Sequence, residues 1–548
     1  MANIKIPKKQ FEKEIGKIDE KMQEKIALFG VPVESITENE IELEIFPNRP
    51  DLLSYQGFKR SFLAFLGKKT GLKQYKINKP EKNYVVKVDS SVKDVRPYTA
   101  CAIVKNLRFD ENKIKEIVEI QEKLHSTIGR KRKKLAIGIY PLEKIQLPIT
   151  YKALEPDKIK FLPLESTRPM SGLEILQRHP AGKEYAHLLK GKVKFPIFID
   201  NKNQILSMPP IINSESTGRI TEKTKEVFIE CSGFDKEILQ KCLNIIITTL
   251  AEMNGKIYAM KIKSKENKIT PNLDTEKRKV SIKDINTLLG TNLDEKQIKQ
   301  CLEKMGHNYS KGEVEIASWR TDILHDVDIA EDVAIGYGYE NLEPEIPKIA
   351  TIGKKDEKEV IKQKLAQILA AIGLLETCNH HLTTKRDQFT KMGLNEKNEK
   401  DFIEITESKT ENNILRKDLS SYILKTFSRN IDSEYPQKIF EIGKVFDTTH
   451  HDIKEPEKLA MGIAPGNFTD IKQTLEYLGK MIGLKFEIKE PKEISSHLID
   501  GRTGKIFLKD IEIGEIGEVH PKILKNCKIK MPVSILEIDL ESIFEELK

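Results

Sequence analysis

Residues 319–339 read WRTDILHDVDIAEDVAIGYGY, and the architecture of the chain turns on what this stretch is. It holds the single tryptophan of 548 residues, together with Asp322, Asp326, Asp328, Glu331 and Asp332. No Lys or Arg falls between Thr321 and Glu340, although the chain carries 92 of them. Ile323, Val327, Ala330 and Ala334 recur at i, i+4, i+7 and i+11, the spacing of one apolar helix face. That spacing predicts an amphipathic helix capped by Thr321 or Asp322. At about 100° per residue, Asp328, Glu331 and Asp332 share one arc beside the apolar stripe. Like charges on neighbouring turns cost roughly a few tenths of a kcal/mol per pair unless something positive sits among them. Three readings follow: a solvated first turn favouring the helix dipole, a divalent-cation site, or a surface for a basic partner.

The string RTDILHDVDIAEDVAIGYGY resembles the signature of the phenylalanyl-tRNA synthetase beta-subunit family in its archaeal and eukaryotic form. The resemblance implies a Mg²⁺ ion held by acids spaced Asp-x5-Asp-x2-Glu-acid, which here are Asp322, Asp328, Glu331 and Asp332. Asp326 lies outside that set and reads as a solvated charge. A second stretch, FPNRPDLLSYQGFKRSFLAFLG (46–67), reads as strand, turn and helix, with Asp51 able to cap the helix and Gly67 to close it. It resembles the N-terminal part of the same family.

Composition narrows the class. A chain this long needs three to five domains. Its net charge of +8, from 92 basic and 84 acidic residues, permits local nucleic-acid contact without demanding it. Six scattered cysteines with no C-x-x-C pair argue against a zinc knuckle or a disulfide framework and fit a reducing cytoplasm. The start, MANIKIPKKQFEKEIG, has no apolar run behind its charges, so no signal peptide is expected. Nothing approaches about eighteen uninterrupted apolar residues, so no membrane partner is expected.

The expected fold class is α+β and multidomain. Residues 1–80 read as a small α+β module and 68–83 as a lysine-rich linker. Residues 85–265 read as strands with interspersed helices, with a basic cluster at Arg130–Lys134 suited to a solvated loop or a phosphate contact. Residues 271–347 suit a winged-helix-like module, and 355–548 a larger α+β domain. The segments EIQEKLHSTIGRKRKKLAIGIYPLEKI, RHPAGKEYAHLL and FPIFIDNKNQILSMPPIINSE resemble the family's middle, editing-type module, which hydrolyses tyrosine wrongly joined to the tRNA. By likeness of SMPPIIN and VFIECSG, the pocket residues are Ser207, Glu230 and Ser232; family members often carry Asp and Thr at the last two positions. The 271–347 module corresponds to the family's metal-binding module. NNILRKDLSSYILKTFSRN, KIFEIGKVF and GEIGEVHP resemble its C-terminal module, which has the antiparallel sheet of class II aminoacyl-tRNA synthetases but is catalytically idle. No G-x-G-x-G-x-x-R string, used by such enzymes to hold ATP, is present. Arg416 and Arg429 read as surface or interface arginines, and His520 as a turn residue.

The resemblance implies a beta subunit supporting ATP-dependent charging of tRNA(Phe) with L-phenylalanine. Adenylate chemistry would sit on an alpha subunit, in a heterotetramer of two alpha and two beta chains. The competing class is a non-catalytic nucleic-acid-binding protein using the winged-helix-like module. A Mg²⁺-dependent hydrolase is disfavoured, because no second stretch supplies a matching acid set for a two-metal site.

Overall fold

The computed structural model describes residues 2–264, 266–395, 402–448 and 452–547. The chain divides into two compact units, Met1–Ile346 and Pro347–Lys548.

The first unit opens with a three-stranded antiparallel sheet whose middle strand, Glu40–Ile45, runs between Ala2–Pro7 and Val33–Ile36. Alternation in EIELEI sends Ile41, Leu43 and Ile45 into the core. The following helix, Tyr55–Phe65, is capped by Ser54, whose Oγ accepts the Gly57 N–H at 3.0 Å. Asp51, expected as that cap, lies one turn earlier in the short helix Pro50–Leu52 and is fully buried against Arg49. Phe58 and Phe62 stack at 5.1 Å, and Phe29 closes over them. Gly67 follows the helix at φ 73°, the left-handed position that favours glycine. The expected lysine-rich linker is instead strapped down. Gly71 N–H donates to Glu303 O at 2.7 Å, Leu72 N–H to Asn308 Oδ1 at 3.0 Å, and Ile77–Asn78 pairs with the strand Lys256–Lys263.

Residues 77–270 build an eleven-stranded mixed sheet. Next to one edge of it, Val227–Gly233 runs antiparallel between Tyr98–Lys105 and the edge strand Leu135–Pro141. Every residue of VFIECSG is buried, so the period of two is overridden by burial on both faces. The helix Lys236–Glu252, capped by Asp235, covers one face, and the helix Glu111–Ser126, capped by Asp110, packs beside it.

Next come the helices Ile282–Leu289 and Glu295–Lys304, a three-stranded sheet, and the helix Asp326–Tyr337. That last helix starts later than its acid spacing suggests. His325 is the cap, and Asp328 reaches back to accept the Leu324 and His325 N–H groups at 2.7 Å each. Thr321 and Asp322 therefore lie in the approach, not at the cap. Val327, expected on the apolar stripe, is 50 % exposed, and the buried face is Ile329, Ala330, Val333 and Ala334. A Cβ on Gly336 would fall 2.4 Å from Cys301 O, because this helix rides directly on Glu295–Lys304. Gly336→Ala must push the two helices apart. It is expected to cost about 1–3 kcal/mol, read as a lower melting temperature of the first unit.

The second unit is a seven-stranded sheet, antiparallel except where the edge strand Leu375–Glu376 runs parallel to Gln437–Lys444. Helices Glu357–Ala371 and Phe468–Ile482 pack on its apolar face. Arg429 is exposed as expected, but Arg416 is not a surface arginine. It is 2 % exposed and pairs with Glu441, which is 1 % exposed. Its Nε donates to Lys444 O at 2.8 Å. His520 caps the helix Pro521–Asn526. All six cysteines are free. Among the described residues no helix is long and apolar enough to cross a membrane.

Candidate functional site

The two stretches singled out in the sequence meet in space. Arg49 holds Asp51 with both arms, Nε to Oδ1 and Nη2 to Oδ2, each at 2.9 Å. Arg60, one turn into the next helix, lies 4.3 Å over the Trp319 ring, and Tyr75 meets the same ring edge-on at 5.3 Å. Arg320 grips Asp322 with Nε at 2.8 Å and Nη2 at 2.7 Å. The same Nη2 reaches Asp332 Oδ2 at 2.9 Å and Oδ1 at 3.2 Å. His307 Nε2 sits 2.6 Å from Asp332 Oδ2. Burial alone would raise the Asp332 carboxyl, but Arg320, His307 and Arg49 outweigh it and hold the group down at about 2. Asp51 is lowered in the same way: burial opposes, and Arg49, Arg320 and Arg60 prevail.

This arrangement bears on the magnesium expected from the acid spacing. Of the four acids, Asp322 and Asp332 are spent on Arg320, Asp328 is folded back on the helix start, and Glu331 points to solvent without a bonded partner. Among the described residues no three His, Cys, Asp or Glu side chains converge as a metal cradle. The side chains as placed do not fit a Mg²⁺ ion shared by all four, since Mg²⁺ demands near-octahedral oxygens at about 2.0–2.1 Å.

Of the three expected pocket residues only Glu230 lines a cavity; Ser207 lies near Tyr140 and Ser232 near Glu230, outside that lining. Glu230 and Ser232 alternate along Val227–Gly233, and Ser207 lies on Ile205–Met208; all three are buried. Glu230 lines a cavity of about 120 Å³ with Gln121, Glu122, His125, Arg132 and Asn213. The Tyr140 hydroxyl is 3.3 Å from both Glu230 Oε1 and Asn213 Oδ1. Glu230 Oε2 is buried without a hydrogen-bond partner. Burial pushes the Glu230 carboxyl up to about 8, with Arg96 opposing, so it carries its proton at neutral pH. Arg96 is itself buried and donates Nη2–H to Ser232 O at 2.8 Å. At the cavity mouth Arg132 donates to Glu122 Oε1 and to Ile211 O, both at 2.8 Å. Ile137 N–H donates to His125 Nε2 at 2.8 Å, leaving Nδ1 to face Glu122 at 3.2 Å.

Gly138 stands opposite Glu230 in the ladder, and a Cβ there would fall 2.1 Å from Tyr140 Oη and 2.7 Å from Glu230 Oε1. The Tyr140–Glu230 contact thus depends on the missing side chain. Sequence reasoning missed Gln121, Glu122, His125, Tyr140 and Asn213, and read Arg132 as part of a solvated loop. One signal was present: Gln121 and His125, at i and i+4 on the helix Glu111–Ser126, are polar residues on a face that packs toward the sheet. Arg130, Lys131 and Arg132 all take positive φ (46°, 53° and 63°), and that curl turns Arg132 inward.

Comparison with known proteins identifies three domain families along the chain. The B3/4 domain family matches residues 81–254, the tRNA synthetase B5 domain 278–339, and the phenylalanyl tRNA synthetase beta chain CLM domain 342–540. Phenylalanine–tRNA ligase beta subunits of Thermococcus sibiricus and Archaeoglobus fulgidus are 38 % and 35 % identical to the chain. The first match covers 91 % of this chain and 90 % of that one; the second covers 98 % and 97 %. The crystal structure of an N-terminal fragment of the phenylalanyl-tRNA synthetase beta subunit from Pyrococcus horikoshii matches at TM-score 0.59 and 38 % identity. It covers 61 % of this chain and 99 % of the fragment. Domains of these kinds, in this order, define a subunit of an aminoacyl-tRNA ligase. The chain belongs to the phenylalanine–tRNA ligase beta-subunit family.

Proposed function

We propose that the chain works with a separate alpha chain, as two alpha and two beta, in the cytoplasm. In this reading ATP, L-phenylalanine and adenylate chemistry belong to alpha. The beta chain contributes tRNA(Phe) contacts, an interface built on its idle class II-like C-terminal unit, and hydrolysis of Tyr-tRNA(Phe) in the Glu230 cavity. An obligate interface of about 2,000 Å² or more gives the idle unit a reason to persist.

The observation that carries the hydrolytic reading is the buried, protonated Glu230, whose Oε1 accepts from the Tyr140 hydroxyl at 3.3 Å while its Oε2 is left without a hydrogen-bond partner. Tyrosine and phenylalanine differ by one hydroxyl, which an apolar synthetic pocket rejects poorly and a hydrogen-bonding pocket can select. Glu230 receives the phenol, while Ser207 and Ser232 stay buried behind it, outside the cavity lining. Water then adds to the ester carbonyl, releasing tyrosine and the tRNA hydroxyl.

The test uses the alpha–beta complex. Glu230→Ala is expected to leave phenylalanine charging unchanged and to slow clearance of Tyr-tRNA(Phe) at least about tenfold, the loss of one hydrogen bond's worth of transition-state stabilisation. Unchanged clearance rejects the pocket. Purified alone, the beta chain is expected to charge no tRNA; turnover without alpha rejects the division of labour.

A further inference from the structure

The acid set that the family likeness offers to magnesium already has a cation. We infer that Arg320 stands in the place of the ion, and that Asp322 and Asp332 belong to a self-neutralised lock between residues 49–60 and the 276–337 region. The geometry carries this directly. All four oxygens of the two aspartates accept from one guanidinium at 2.7–3.2 Å. The three side chains are 10 % exposed or less. An arginine is charged at every pH the protein meets, and its planar fork matches two carboxylates as a point ion does not.

Charge balance points the same way. Three arginines, Arg49, Arg60 and Arg320, act on three aspartates, Asp51, Asp322 and Asp332. Adding a dication at Asp322 and Asp332 would place two uncompensated charges beside a buried guanidinium, a desolvation cost with no matching gain. His307 occupies the remaining side of Asp332. The acids left over, Asp328 and Glu331, form the outer, wetter half of the set. A weak hydrated ion on them would not reach Asp322 or Asp332 without displacing Arg320.

The experiment uses the full-length chain stripped with EDTA, with Mn²⁺ as the probe and the free ion read by electron paramagnetic resonance. Glu331→Gln is the informative variant, since Glu331 is exposed and makes no bonded contact, so the fold survives its loss. Wild type and Glu331→Gln are expected to give the same binding curve, and MgCl₂ at constant ionic strength is expected to leave the wild-type melting temperature unchanged. One stoichiometric Mn²⁺ bound by wild type and lost in Glu331→Gln overturns the inference, as does a wild-type melting temperature raised by Mg²⁺. In Arg320→Met the two aspartates lose their partner. Mg²⁺ is then expected to raise that variant's melting temperature by mass action. If the variant does not fold, the wild-type and Glu331→Gln comparison decides alone.

Discussion

Asp51→Ala is expected to destabilise the first unit by about 3–5 kcal/mol, the cost of removing one partner from a buried ion pair. Asp51 is fully buried, so water cannot take over from its carboxylate. Arg49 would lose both of its bonds, and Arg60 and Arg320 would lose the negative charge they share. Trp319 makes the loss measurable. It is the only tryptophan, and Arg60 lies over its ring, so its emission reports this cluster without interference from the second unit. The urea transition followed at Trp319 should move to markedly lower denaturant. A change below about 1 kcal/mol would mean these pairs behave like surface pairs, and the cluster would not be a lock. The acid limb follows the same logic. Asp51 and Asp332 have folded pKa values below the ordinary carboxylate range, so their contribution is complete above about pH 4. It is lost as pH falls toward about 2, where Asp332 titrates in the fold. Asp51→Ala should therefore show a shallower acid limb than wild type.

How legible was this beforehand? The acidic helix was visible as a helix because apolar residues recur at its period, but its start was misplaced. Nothing in the spacing reveals that Arg320, two residues before Asp322, folds back to claim Asp322 and then Asp332 twelve residues on. A charge count along a helix face cannot see a cation arriving from outside that face. Asp51 misled in a related way: after Pro50 it looks like a cap, but Arg49 two residues before it, Arg60 on the next helix and Arg320 from far along the chain make it a buried charge. Glu230 was reached through the likeness of VFIECSG to the family's editing-type module, not through any spacing of its own. Its surroundings were not, since Gln121, Arg132, Tyr140 and Asn213 come from four separate segments joined by the sheet. The strapped segment 68–83 was read as linker because its lysines dominate, whereas its backbone N–H groups, which carry no sequence signature, do the anchoring.

Glu230→Gln is expected to make the first unit more stable than wild type at pH 8, by about 3–5 kcal/mol if the whole shift is expressed. The sign follows from the direction of the shift. Burial holds the folded carboxyl neutral up to about pH 8, whereas the unfolded one ionises near the ordinary value of 4.5. Below about pH 4 both states are protonated and the residue costs nothing. Between about 4.5 and 8 the unfolded state gains from ionising while the folded state does not, so wild-type stability falls. Glutamine has nearly the same shape and no proton to lose, so the variant should lack that part of the decline. Glu116, pushed up to about 7 by burial, adds a similar slope but is common to both proteins and cancels in the comparison. The same substitution should alter the hydrolytic activity proposed for this cavity in a way that stability does not. Wild-type clearance of Tyr-tRNA(Phe) should change as pH passes through about 8, where Glu230 gives up its proton, and the variant's should not. A carboxylate kept at a cost in stability, opposite a strand position that a Cβ would block, fits the proposed site better than a merely packed core. Equal Trp319 transitions for the two proteins at pH 8 would show that Glu230 is ionised and compensated in the fold, and the phenol-selecting role would fall with it.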